Sequence, residues 1–258
     1  MALALEGCEV VAVHEGLVRL IEFLNEMRRL SIEVKMVDWI APVTRETIEL
    51  DLGEAKMRSL CRYIETPFDL PSVRGLFSAD LLQRWYYDTA AVLGFVLEHE
   101  LAHHELGHRS ELVHGREPRP RHTVLEESST YSKEQEYEAD VRAARAASEN
   151  RDFYLSRVAT FFDDLGLIEA YCGKLAESHP FASNRATNLL EVMRDELSND
   201  LRSGFELVAG GSARFFSEWG EAGRAEIQKA FVADNVTHLR NTVEDLARKI
   251  CLRAGASS

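Results

Sequence analysis

Cysteine is scarce and scattered: four in 258 residues, Cys8, Cys61, Cys172 and Cys251, with no CxxC spacing. That excludes a cysteine-ligated zinc site and a disulfide framework, and reads as reduced thiols in a cytoplasmic protein. Basic charge is short as well, with 30 Lys and Arg against 43 Asp and Glu and a net charge of -13. A phosphate backbone would repel such a chain, so nucleic acid is excluded as a default partner. Long apolar runs are missing; nothing approaches the roughly 18 uninterrupted residues of a membrane span. The start, MALALEGCEVVAVHEG, is apolar but lacks a basic n-region and soon carries Glu6, Glu9 and Glu15, which argues against a signal peptide. What remains is globular stock, 45% hydrophobic and 28% charged, long enough to bury one sizeable core or two small ones.

Along residues 10–30 the apolar groups Leu17, Leu20, Ile21, Leu24 and Met27 fall at helical spacing. The next stretch, SIEVKMVDWIAPV, alternates Ile32, Val34 and Met36 with Glu33 and Lys35, the period of a half-buried strand. ETIELDLG repeats that alternation with Ile48, Leu50 and Leu52 before a glycine. Together they predict a small antiparallel sheet across 32–52. The proline-bearing ETPFDLPSVRG reads as a loop. From Ser78 the chain is helical, with a break expected near Asp88, and its second half is a buried core helix. Residues 109–133 are polar, hold Pro118, Pro120, Arg116, Arg119, Arg121 and His122, and predict a mobile loop, either a solvated linker or a lid. Helix resumes at SKEQEYEADVRAARAASE with Ser132 as N-cap. Beyond it lie helices separated by SHPF, AGGS and EWGEAG. Phe215, Phe216 and Trp219 there are core or, alternatively, a partner surface. The expected architecture is α+β, mostly α, with a main domain over 1–204 and a helical extension over 205–258 that is separate or part of the same domain.

The chemistry concentrates in GFVLEHELAHHELGHRS. His99-Glu100-Leu101-Ala102-His103 is H-E-x-x-H. On a helix, positions i and i+4 share a face, so both imidazoles reach one metal ion, and Glu100 stands close enough to take a proton from its water. Zinc lowers the pKa of such a water toward ~7. The pattern HExxHxxGxxH would need glycine at 106 and histidine at 109, where the chain has Leu106 and Arg109. On a continued helix His108 falls about 140° round from His103, too far to share the ion. His104 points off the ligand face. Both read as surface histidines ahead of supporting groups. In the gluzincin arrangement the third ligand is a Glu on a later helix, and EQEYEADVRAA offers Glu136, with Asp140 one turn on to accept an imidazole N–H. Glu134 and Glu138 lie elsewhere on that helix and read as solvated charges. Further on, His179 and Arg185 in SHPFASNR are candidates to stabilise an oxyanion; the plain alternative for His179 is a turn residue before a helix.

HELAH, then EYEAD, then SHP followed by Arg185 resembles the gluzincin-type metallopeptidases of the HtpX and prenyl-protein (CaaX) protease group, over roughly residues 92–190. The resemblance implies a zincin-like core with the small sheet packed on the HExxH helix. It also implies a zinc endopeptidase acting on a protein or peptide substrate, with ligands His99, His103 and Glu136. Asp140 would stand behind the ligands and His179 or Arg185 near the substrate. Those enzymes are commonly membrane-embedded and this chain has no span. In that respect it is similar to the Lit-type phage-exclusion peptidases and to the ImmA/IrrE-like regulators, which suggests a regulated or defence-related bacterial role. Two His and one Glu favour zinc and leave one coordination position open, as catalytic sites do; the alternative is a non-catalytic module stapled by zinc. The oligomeric state stays open.

Overall fold

Leu30 and Val34 are fully buried one helical turn apart, while Met36 is 70% exposed. Ile48, Leu52 and Ala55 are buried at helical spacing, and Leu50 between them is 68% exposed. On a strand Leu50 would share a face with Ile48 and Leu52; on a helix it points the other way. The computed structural model accordingly places these residues in helices α1 (Glu15–Met36) and α2 (Pro42–Glu65). It describes residues 2–4, 11–36, 42–65, 70–108, 131–146, 150–172, 179–232 and 235–254. The strands expected over 32–52 are therefore corrected to helix at residues 32–36 and 42–52, residues 37–41 lying outside the described residues, and with them the α+β class and the sheet-bearing zincin-like core. Strand pairing among the described residues is confined to an antiparallel ladder of Ala2–Ala4 with Val11–Val13, lying against the next long helix.

That helix, α3 (Ala79–Glu105), is continuous through Asp88. The break expected there is absent because Asp88 is fully buried, 2.5 Å from Arg29 and 3.4 Å from Arg157. Among the described residues five α-helices follow: α4 (Lys133–Ala146), α5 (Arg151–Cys172), α6 (Ala182–Val192), α7 (Asn199–Val232) and α8 (Val236–Ala254).

Two apolar clusters share α3 between them. Its first half (Leu81, Trp85) packs with α1, α2 and α8 through Leu24, Leu30, Leu60, Val243 and Ile250. Its second half (Val92, Phe95, Val96) packs with α4, α5, α6 and α7 through Ala143, Phe162, Leu189 and Phe205. Phe95 meets Phe162 edge to face, centroids 5.6 Å apart; buried side chains of this size contribute about 1.5–3 kcal/mol each. The boundary expected at 204 falls inside α7, whose Leu201 and Phe205 bury in the same cluster on either side of it. Most of the 109–133 loop, residues 109–130, lies outside the described residues, as do the side chains of Phe215, Phe216 and Trp219. Among the described residues no helix is long and apolar enough to cross a membrane.

Candidate metal centre

Helix α3 starts at an N-cap, Ser78, whose Oγ accepts from Leu81 N at 3.3 Å. Burial of Val92, Phe95 and Val96 in the cluster they share with α5 fixes the rotation of its second half. The same face one and two turns on carries His99 and His103, which are thereby turned inward, 5% and 1% exposed. Helix α4 opens on a capping box: Ser132 Oγ accepts from Gln135 N at 3.2 Å, and the Gln135 side chain accepts from Ser132 N at 2.9 Å. Glu136 follows in the first turn, where the helix dipole favours a carboxylate. Ala139, Ala143 and Ala144, all fully buried, let α4 seat closely, so Glu136 and Asp140 have no exposed surface.

The two elements bring three ligand-type side chains together. His99 Nε2 and His103 Nε2 are 3.2 Å apart, and they lie 3.3 and 3.8 Å from the Oε2 and Oε1 of Glu136. One donor atom from each of the three falls within 4.8 Å of the others, all in buried residues. Both Glu136 oxygens are buried without an aligned hydrogen-bond donor. The donor set itself, two imidazole nitrogens and a carboxylate, suits a borderline transition metal. This buried group can hold a metal ion.

Behind the ligands the ring nitrogens are engaged. His99 Nδ1 lies 2.9 Å from Asp140 Oδ1, off the line of a good hydrogen bond. Arg185 donates to both oxygens of Asp140, at 2.8 and 2.5 Å, while its guanidinium lies over the Phe162 ring. Arg185 is thus 8% exposed and spent on Asp140 behind His99 rather than aimed at open space beside the ligands. His179 is at the cluster, its Nδ1 3.0 Å from Glu136 Oε2, and its side chain is 40% exposed. It forms the open side of the group. Glu100 is buried at 7% exposure.

The charges are interdependent. Burial opposes protonation of His99, but contacts with Asp140 and Glu136 outweigh it and raise that imidazole to about 9. His103 goes the other way, driven down by burial and by the charge on His99. Two imidazole nitrogens this close do not both carry a proton charge. Burial works against the Glu136 carboxylate too, yet the close imidazoles of His179 and His99 hold it well below the usual range. Glu100 is pushed up, chiefly by burial, against the opposing charges of His99 and His179.

Three features escape the sequence reading. His108 is a partner of His103, Nδ1 to Nδ1 at 2.9 Å, and its Nε2 lies 3.0 Å from Glu138. Tyr131 stacks on the His103 ring, centroids 3.7 Å apart and planes at 9°. The signal was Gly107: its φ of +66° ends the helix, so the projection that sends His108 round to a far face does not apply. Glu169 on α5 is also unanticipated; it is 6% exposed and accepts from Ala182 N at 3.0 and 3.1 Å, fixing the start of α6 just after His179.

Residues 88–201 match the family model described as Peptidase U49, a span that contains all seven side chains assembled above. This part of the chain is similar to a peptidase family. No curated protein and no solved structure gives a significant match.

Proposed function

We propose that the protein is a zinc-dependent endopeptidase acting on a protein or peptide substrate. The observation that carries the reading is the convergence of His99 Nε2, His103 Nε2 and the Glu136 carboxylate inside the peptidase-like span. Bound there, zinc would supply Lewis acidity and a water ionisable near neutral pH. Glu100 is the general base: its carboxylate takes the proton of the attacking water and returns it to the leaving amine. The upward push that burial gives this carboxyl suits the second half of that task. His179, on the exposed side, donates to the oxyanion that develops on the scissile carbonyl. Asp140 holds the His99 ring through Nδ1, and Arg185 acts through Asp140 as a positioning residue. A site of two His and one Glu leaves a coordination position free, which separates it from four-ligand structural zinc.

The test uses Glu100→Gln with zinc-loaded wild type as reference, on a fluorescently labelled denatured protein and a peptide library. The variant should keep its metal and lose about 10²–10⁴ in rate. An undiminished rate would remove Glu100 as base. Stoichiometric zinc in a wild type that cleaves nothing in the library would instead favour the zinc-stapled module.

A further inference from the structure

We infer that His108 and Glu138 form the support that orients the second histidine ligand, His103, through a turn built into the end of the HExxH helix. This rests on the metal-site reading above.

The turn is specified by three backbone bonds. Leu106 N donates to Ala102 O at 2.9 Å, continuing the helix pattern. Gly107 N then donates to His104 O at 3.1 Å and His108 N to His103 O at 2.9 Å. With Gly107 at φ +66°, these last two bonds are the paired 5→2 and 6→1 closures of a Schellman motif. The left-handed residue reverses the chain and lays His108 back over the last turn, next to His103, rather than letting it continue round the helix. The imidazole of His108 is only 5% exposed as a result, although it stands beyond the helix end.

His103 presents Nε2 to Glu136 and His99, which leaves Nδ1 to carry the proton. That N–H donates to His108 Nδ1 at 2.9 Å, and this in turn sets the His108 tautomer so that its Nε2–H donates to Glu138 at 3.0 Å. Glu138 comes from α4, the helix that supplies Glu136. The first ligand, His99, leans on Asp140 of α4 in the same way. Each imidazole therefore has its own carboxylate on α4, Asp140 directly and Glu138 through His108. Tyr131, stacked on the His103 ring, limits its rotation.

Such supports typically govern metal affinity by 10–100-fold. The measurement is zinc affinity by chelator competition on the full chain, with the visible spectrum of the cobalt(II)-substituted protein as a reading of ligand geometry. His108→Ala should weaken zinc binding by about 10–100-fold and change the cobalt spectrum. Glu138→Ala, at a mostly exposed position that folding tolerates, should show the same spectral change with a smaller loss of affinity, and Glu138→Gln, which keeps an acceptor, should restore both. Arg142→Ala is the control: Arg142 bridges α4 to α3 through Glu105 at 2.8 Å without touching His103, so both readings should stay at wild type. Wild-type affinity and spectrum in His108→Ala and Glu138→Ala would overturn the inference and leave the metal site standing. An effect of Arg142→Ala equal to that of His108→Ala would also overturn it, by showing a general loosening of the two helices. No zinc on the wild type would remove both readings together.

Discussion

Two buried ionic groups flank α3, and they are built on opposite principles. Near its middle, Asp88 faces Arg29 and Arg157, and Asp164 of α5 faces Arg28 at 3.0 Å together with Lys56. Every carboxylate there meets permanent cations supplied by the chain, so the group is neutralised from within. At the C-terminal end of α3, Glu136 meets only imidazoles among the described residues, and the guanidinium of Arg185 is committed to Asp140. Both groups occupy the same kind of low-dielectric interior, where an uncompensated charge costs several kcal/mol. The first group fastens helices. The second has a charge and converging lone pairs that a divalent cation would match, and this difference supports the proposal that it is the functional one.

Removing a partner from the first group should have the largest effect on folding. Asp88→Ala leaves the buried Arg29 and the partly buried Arg157 without their carboxylate and is expected to cost about 3–5 kcal/mol, read by denaturant unfolding, with metal content unchanged. Glu136→Ala, measured in chelator, should cost less than that, because imidazoles can shed their protons where guanidinium cannot. Equal losses in the two variants would erase the distinction.

The response to pH sharpens the contrast. In metal-free protein His99 titrates at about 9, above the ordinary imidazole value, so its charged form favours the folded state. That contribution is fully present below about 6.5 and is lost as pH rises through 9. Chelator-treated protein should therefore lose about 1–3 kcal/mol between those limits. Zinc-loaded protein should lack this component, since a coordinated imidazole is already neutral. A pH profile identical with and without zinc would speak against coordination by His99.

The smallest expected effect is on ligand support. Asp140→Asn keeps an oxygen facing His99 but withdraws the charge shared with Arg185, and should weaken zinc binding by about 10-fold in chelator competition.

Spacing along single helices made much of the candidate centre legible. His99 with His103 and Glu136 with Asp140 are each i, i+4 pairs, and the juxtaposition of the two pairs follows once α3 and α4 pack. The sheet was misread because Ile32, Val34, Met36 and Ile48, Leu50, Leu52 alternate; only burial shows that Met36 and Leu50 face solvent and that the deciding rows are Leu30–Val34 and Ile48–Leu52–Ala55. Arg185 was expected toward substrate because its pairing with Asp140 joins residues 45 positions apart, a contact no local pattern reveals. Helical projection misplaces His108 because it carries the helix past Gly107, where the backbone leaves it.

The most direct test of the central claim is elemental analysis of the purified protein beside His99→Ala and Glu136→Ala. One zinc per chain is expected in the wild type, lost in both variants while their far-UV circular dichroism stays helical. A wild type without metal, or zinc retained in folded Glu136→Ala, would contradict it.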